Sequence, residues 1–213
     1  KQLYTDNTMI EHPTQDVRNV MDEFKNMPHE EIVTILDTRG IELEIAIENT
    51  LRDYNMGTIV RNANAFGVRT VHVIGRRQWN KRGAMATDKY LTIVYHQTAT
   101  DFVQAMRKTP KQIVAIDITK TSQPLSATEL PKNCVFVFGQ EGPGLSDTML
   151  TQADAEAHIE QLGSTRSVNV GVAAGIAMYE WLRRNKLYNG KKFSILISMK
   201  MICSVMYFAY VFL

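Results

Sequence analysis

Cysteine is scarce in this chain, with two among 213 residues, and the scarcity argues against two kinds of protein. Cys134 and Cys203 lie far apart, each in an apolar run, so the sequence predicts neither a disulfide-stabilised scaffold nor a zinc site. The pattern indicates reduced, buried thiols in a cytoplasmic protein, and we expect no bound metal.

Other catalytic signatures are missing too. No Ser/His/Asp triad is recognisable, and no Gly-rich loop carries the Lys-Ser or Lys-Thr of a phosphate-binding loop. His72, His96 and His158 lie in strand-like apolar segments, where a hydrogen-bonded core or surface histidine is expected rather than a catalytic one. Lys1–Gln15 has no apolar core of a signal peptide.

Charge is distributed unevenly along the chain. Residues 1–50 carry 4 Lys or Arg against 11 Asp or Glu, whereas residues 51–213 carry 20 against 11. The densest basic stretch, residues 52–89, has eight cations and two carboxylates. A basic region on a folded body suits a phosphate-rich partner, and an ordinary solvated surface is the alternative.

The last 21 residues, Phe193–Leu213, form an apolar tail with one charge, Lys200. This length could span a bilayer, but three serines and a central lysine make a poor span. Three interpretations stay open: an extra packed or dimer-covering element, an atypical end such as a shifted reading frame produces, and a membrane anchor. A membrane partner is the least favoured of these.

Strand-like and helical segments alternate along the chain. This alternation predicts an α/β fold with a mainly parallel sheet covered by helices on both faces. The predicted strands are Leu43–Ile47, Thr70–Ile74, Thr92–Tyr95, Ile113–Ile118, Val135–Phe138 and Ala155–Glu160. The predicted helices are Pro28–Arg39, Gly57–Phe66, Asp101–Lys108 and Val168–Arg184, with a polar loop at Thr119–Thr128.

Three polar clusters follow or interrupt these apolar runs. In the first, Asn55–Gly67, a helix that begins near Gly57 would place Thr58, Arg61 and Ala65 on one face. An amphipathic helix with an exposed arginine would give the same pattern.

The second cluster, Phe138–Ser146, directly follows a buried strand and contains three glycines. Ligands of open α/β sheets bind beyond the carboxyl ends of the strands, where such a backbone could contact an adenosine or a methionine. A purely structural turn is the alternative.

The third cluster, Gly163–Gly175, leads into a helix whose first turns contain only small residues. Small side chains permit close packing against a neighbouring segment. Ser167 is a natural N-cap, which would give the cluster a purely structural role.

In this order and spacing the clusters resemble the signature motifs of the SpoU (TrmH-type) RNA 2′-O-ribose methyltransferases of the SPOUT superfamily. The family pattern reads N-x-G-x-x-x-R-x-A-x-x-F-G, then F-G-x-E-x-x-G-L, then S-x-N-x-x-x-A. Here the motifs are Asn55–Gly67, Phe138–Leu145 and Ser167–Ala173. Val168 stands where family members commonly have leucine.

The resemblance implies a domain at residues 43–186, between an acidic N-terminal extension (1–42) and the apolar tail (187–213). It also implies a deep C-terminal trefoil knot that binds S-adenosylmethionine, a homodimer, and methylation of a ribose 2′-OH in tRNA or rRNA. A catalytically silent RNA-binding protein of the same fold is the alternative.

The resemblance also assigns residues. The catalytic positions are Asn55, Arg61, Glu141, Ser167 and Asn169. The cofactor-binding positions are Gly139, Ile159 and Val168, with Ile116, Ile118 and Gly144 as further candidates.

An SN2 methyl transfer needs a 2′-oxygen aligned with the methyl carbon and relieved of its proton. The guanidinium pKa, above about 12, makes Arg61 a poor general base. We therefore interpret Arg61 as a clamp on the adjacent phosphate that also stabilises the developing alkoxide, with Glu141 orienting it. The base is left unassigned.

A basic loop at residues 76–82 interleaves one aromatic residue with four cations, which suits phosphate contacts and base stacking. The residues predicted to bind RNA are Arg76, Arg77, Trp79, Lys81 and Arg82. A solvated loop with Trp79 packed on the body is the alternative.

Overall fold

The computed structural model describes residues 16–49, 55–140 and 142–187. Its strands are β1 (Glu44–Asn49), β2 (Thr70–Gly75), β3 (Thr92–His96), β4 (Gln112–Ile116), β5 (Gln123–Pro124), β6 (Cys134–Phe138) and β7 (Ala155–His158). Its helices are α1 (His29–Arg39), α2 (Met56–Ala65), α3 (Ala99–Met106), α4 (Asp147–Gln152) and α5 (Val170–Leu182).

The strands form one seven-stranded sheet in the order β3-β2-β1-β6-β4-β7-β5, and neighbouring strands pair in parallel. All five residues of β6 are buried, as expected of an apolar strand in the middle of a sheet. One face is covered by α2 and α5, whose Ile59, Val60 and Met178 join the larger apolar core. The other face is covered by α3 and α4 through Phe102 and Met149. The predicted mainly parallel α/β architecture is confirmed.

The parallel arrangement decides where a ligand can bind. The carboxyl ends of β4, β6 and β7 lie side by side, because Ile116 pairs with Phe138 on one side and with Ala157 on the other. Ligands of open α/β sheets bind in the crevice outside the carboxyl ends of the strands, where the connecting segments leave the sheet.

Helices α2 and α5 pack very closely. A Cβ on Gly171 would lie 2.9 Å from Thr58 Cγ2, and a Cβ on Gly175 would lie 3.0 Å from Asn62 Nδ2. Asn62 Nδ2 also donates to the Gly171 carbonyl at 3.1 Å. The small residues of this segment therefore permit close packing, here against the side chains of Thr58 and Asn62.

The end of α5 is tied to the segment that joins β5 to β6. Trp181 Nε1 donates to the Pro131 carbonyl at 2.8 Å, and Arg184 donates to the carbonyls of Leu125 and Thr128 at 2.7 Å. Glu180 accepts from Arg184 Nε, and hydrogen bonds from Arg183 and Arg184 lower the pKa of Glu180 to about 2.

The acidic N-terminal extension is described from Asp16 onward, and this part packs on the body. Phe24 and Ile32 are buried in a small cluster with Tyr90, and Asp37 forms an ion pair with Arg69 at 2.8 Å. The apolar tail lies outside the described residues. Within the described ranges, no helix has both the length and the apolar character needed to cross a membrane.

Among the strands and α-helices, two short elements were missed in the sequence, and most predicted boundaries differ from the observed ones by one or two residues. Strand β5 falls within the predicted loop Thr119–Thr128, and the six-residue α4 follows the second motif. Helix α5 begins at Val170 rather than Val168, and β7 ends at His158 rather than Glu160. Both missed elements are too short to show a periodic pattern.

Two histidines form a hydrogen-bonded chain across the sheet. His72 Nε2 lies 2.9 Å from Glu44 Oε2, and His72 Nδ1 lies 2.9 Å from His96 Nε2. Both rings contact Phe102 edge-on. The expectation that these are hydrogen-bonded histidines of the body is confirmed. Burial, and then the neighbouring His72, lower the pKa of His96.

A lowered pKa makes the fold sensitive to acid. In the unfolded chain His96 binds a proton as the pH falls through about 6.5, while the folded chain resists protonation, so the free energy of unfolding falls. We expect His96→Gln to flatten the decline in Tm between pH 7.5 and 5.5, measured by circular dichroism. His29→Gln, on the exposed surface of α1, is the matched control and should keep the wild-type decline. An unchanged decline in His96→Gln would contradict this account.

Candidate cofactor cavity and active site

A cavity of about 930 Å³ opens at the carboxyl ends of β4, β6 and β7. The second and third sequence motifs both contribute to its wall. All six residues predicted to bind a cofactor line it: Ile116, Ile118, Gly139, Gly144, Ile159 and Val168. Of the predicted catalytic residues, Ser167 and Asn169 line it as well.

The glycine-rich loop after β6 is folded tightly on itself. Gln140 and Gly144 exchange backbone hydrogen bonds of 3.2 and 3.1 Å. Gly142 and Gly144 have φ values of +101° and +72°, which side chains with a Cβ rarely adopt. A Cβ on Gly139 would lie 2.3 Å from the carbonyl carbon of Gly144. Glycine at these positions is therefore required by the backbone path itself.

Asp117 holds this loop from the neighbouring strand. One carboxylate oxygen accepts from the Leu145 amide, and the other accepts from the Ile118 amide, both at 2.8 Å. Asp117 lines the cavity and was missed in the sequence. Its only sequence signal is a carboxylate directly after a buried strand.

Asn169 joins the first motif to the third. Its Nδ2 donates to Asn55 Oδ1 at 2.9 Å, and its Oδ1 accepts from the amides of Gly171 and Val172 at 2.9 and 3.2 Å. Asn169 is therefore the N-cap of α5, and the purely structural alternative, in which Ser167 caps this helix, is not observed. Ser167 instead lies exposed at the cavity wall.

Arg61 lies apart from the cavity wall. It is exposed on α2, and within the described ranges no hydrogen bond or ion pair to its guanidinium is found. Glu141, the proposed orienting residue, lies outside the described residues. The assignments of Arg61 and Glu141 stay predictions.

The basic loop presents its cations but not its aromatic ring. Trp79 is 8% exposed and belongs to the larger apolar core, so the prediction that it offers a free face for base stacking is wrong. Lys81 lies over that ring and forms an ion pair with Asp88 at 2.8 Å. Arg77 lies over the Tyr95 ring. The alternative reading, with Trp79 packed on the body, is the one observed.

Two further polar residues line the cavity. His158 Nδ1 lies 3.0 Å from the Ser122 hydroxyl, which fixes the ring at the wall. Arg166 lies in the segment before α5 and is exposed. Among the residues that the structure describes, no group of three or more His, Cys, Asp or Glu is placed to hold a metal ion.

The comparisons with known proteins agree with this geometry. Residues 42–179 match the SpoU rRNA Methylase family. The chain belongs to this family. The matched range contains all three motifs and the whole sheet.

Two relatives illustrate the range within the SpoU family. The tRNA (guanosine(18)-2′-O)-methyltransferase of Escherichia coli K12 is 25% identical over 158 residues, which are 73% of this chain and 69% of the relative. The 23S rRNA (guanosine-2′-O-)-methyltransferase RlmB of Coxiella burnetii is 25% identical over 186 residues, 84% of this chain and 74% of the relative.

Solved structures of RNA-modifying enzymes are similar to this chain as well. The TrmH/SpoU tRNA modifying enzyme of A. aeolicus matches with a TM-score of 0.66 and 26% identity, covering 74% of this chain and 82% of that one. The AdoMet-bound rRNA methyltransferase of Sinorhizobium meliloti matches with a TM-score of 0.61 and 27% identity, covering 67% and 56%.

The tight packing of the glycine-rich loop of this SpoU-family chain can be tested by adding a methyl group to it. We expect Gly139→Ala to lower the free energy of unfolding by about 1–3 kcal/mol, because the added Cβ meets backbone that cannot move aside. Gly163→Ala is the matched control, since a Cβ there meets nothing within 4 Å. It should change the free energy by less than about 0.5 kcal/mol. Urea denaturation measures both, and equal effects would contradict the packing described.

Proposed function

We propose that this chain transfers the methyl group of S-adenosylmethionine to a ribose 2′-OH in tRNA or rRNA. The observation that carries the proposal is the convergence of motifs two and three on one cavity, with motif one joined to them through Asn55 and Asn169. Membership of the SpoU family and the activities named for its relatives support the same reaction.

The cavity fits the methyl donor. Its volume of about 930 Å³ is within the range of cofactor sites, and its wall combines apolar side chains with open backbone. Gly139 and Gly144 let the loop fold tightly on itself, and both line the cavity with backbone alone. Ile116, Ile118 and Ile159 would enclose its apolar part. When bound, the donor supplies an electrophilic methyl group on a sulfonium.

The residues of the chain then have to position the ribose. Asn169 is fixed by the helix that it caps and by Asn55, so its place relative to the cavity is rigid. Asn55, Ser167 and Asn169 would orient the 2′-hydroxyl, and holding reacting groups in line supplies much of such a rate enhancement. Arg61 would clamp the adjacent phosphate and stabilise the developing alkoxide, with Glu141 orienting it.

The trefoil knot is part of the proposal. In the sheet, β7 lies on the far side of β4 from β1. After β7 the chain returns as α5, which packs against α2. Helix α2 is the element that follows β1 in the sequence. The end of α5 is held by carbonyls of residues 125–131, which lie between β4 and β6. If α5 passes through the loop formed by this connection, the chain is knotted. The small residues of α5 would make it easier for the helix to pass through the loop.

RNA would contact the exposed cations of the basic loop, Arg76, Arg77, Lys81 and Arg82. Trp79 supports this loop from beneath. Phosphate contacts of this kind give affinity without sequence specificity.

A homodimer would cover an apolar stripe on α5. Val172, Ile176 and Tyr179 recur at helical spacing and are 52%, 41% and 50% exposed. Tyr179 contacts Phe66 at the end of α2, so the stripe continues onto the second helix. Contiguous apolar patches of this kind mark interaction surfaces.

The reaction is tested with labelled S-adenosylmethionine and total cellular RNA. We expect label in alkali-resistant 2′-O-methylated dinucleotides, and a loss of at least about 100-fold in kcat/KM for Arg61→Ala, because a transition-state charge loses its partner. Lys108→Ala, exposed beyond the opposite edge of the sheet, should match the wild type. Labelled bases would contradict ribose methylation, and RNA binding without transfer would identify a silent binder.

The dimer is tested by placing a charge in the stripe. We expect Ile176→Glu to convert a dimer into a monomer in sedimentation velocity, because a carboxylate would be buried without a partner. Thr34→Glu, on the exposed face of α1, is the control and should stay dimeric. A wild-type protein that sediments as a monomer would contradict the proposed dimer.

A further inference from the structure

Arg166 is the one Lys or Arg among the described residues that line the cavity. It is exposed, and within the described part of the chain no carboxylate or carbonyl contacts its guanidinium. It directly precedes Ser167, the first residue of the third motif, and so lies outside that motif, and the resemblance assigns it no role. A guanidinium at the wall of a cavity presents a rigid fork of donors to an anionic ligand.

The charges of the cavity wall indicate which anion this is. Asp117 and Asp147 also line the cavity, so the described part of its wall carries two carboxylates and one guanidinium. The amino-acid end of S-adenosylmethionine carries the opposite set, a sulfonium and an ammonium together with one carboxylate. A wall with a net negative charge disfavours the polyanionic backbone of RNA but complements this small ligand.

We propose that Arg166 binds the carboxylate of the methyl donor, an inference that rests on the proposed function. Guanidinium and carboxylate pair through two parallel hydrogen bonds, which fix direction as well as position. Arg166 would therefore orient the amino-acid end of the donor while the apolar wall holds its adenosine. It touches the donor away from the reacting methyl group and acts as a specificity residue for the donor.

The test compares two ligands that differ at this end. S-adenosylhomocysteine has the carboxylate, whereas 5′-methylthioadenosine keeps the adenosine and the thioether but lacks the amino-acid end. We expect Arg166→Gln to weaken S-adenosylhomocysteine binding about tenfold in calorimetry and to leave 5′-methylthioadenosine binding unchanged. Arg166→Lys should lie in between, because it keeps the charge but not the fork. Lys108→Gln, distant from the cavity, should match the wild type.

Two results would overturn the proposal. If Arg166→Gln weakens both ligands equally, the residue only maintains the shape of the wall. If S-adenosylhomocysteine binds unchanged while the KM for RNA rises, with a smaller dependence on salt, Arg166 contacts a phosphate instead. Failure of the wild-type protein to bind either ligand would overturn the proposed function itself, and with it this inference.

Discussion

The site depends on how closely α5 approaches α2. Gly171 and Gly175 leave room for Thr58 and Asn62, and this approach brings the first residue before α5 within hydrogen-bond distance of the first residue before α2. Asn169 uses one side chain for two tasks, because its oxygen caps the helix while its nitrogen reaches Asn55. The helix packing that stabilises the fold thus also sets the geometry of the active site. A larger residue at Gly171 would disturb both at once.

A second constraint acts on the cofactor side. Both carboxylate oxygens of Asp117 accept hydrogen bonds from backbone amides, one of which belongs to the glycine-rich loop. Because Asp117 directly follows β4, it links the loop after β6 to the neighbouring strand β4. The sheet therefore holds this part of the cavity wall in place. Glu48 does the same from β1, where it is buried and accepts from the amide and hydroxyl of Ser146. Two acidic residues therefore support the loop from opposite sides of β6.

The long apolar segments could be predicted from the sequence because burial on both faces of a parallel strand leaves a continuous pattern. The cavity wall could be predicted because the second and third motifs line it. What escaped prediction depends on neighbours that are distant in sequence. Trp79 stands among cations, yet it is buried and belongs to the larger apolar core. Ser167 and Asn169 are both good N-cap residues, and only the backbone decides between them.

The electrostatics separate the two substrates in space. The cavity wall has a net negative charge, whereas the exposed arginines of the basic loop lie on the surface outside it. If the proposed function holds, an RNA backbone would be attracted to the loop and repelled from the cavity, so that a neutral ribose edge would approach the donor. Arg61 is exposed on α2, outside the wall, where a phosphate next to that ribose can be reached without entering the cavity. Arg166, the one Lys or Arg of the described wall, would then meet the single carboxylate of the proposed donor.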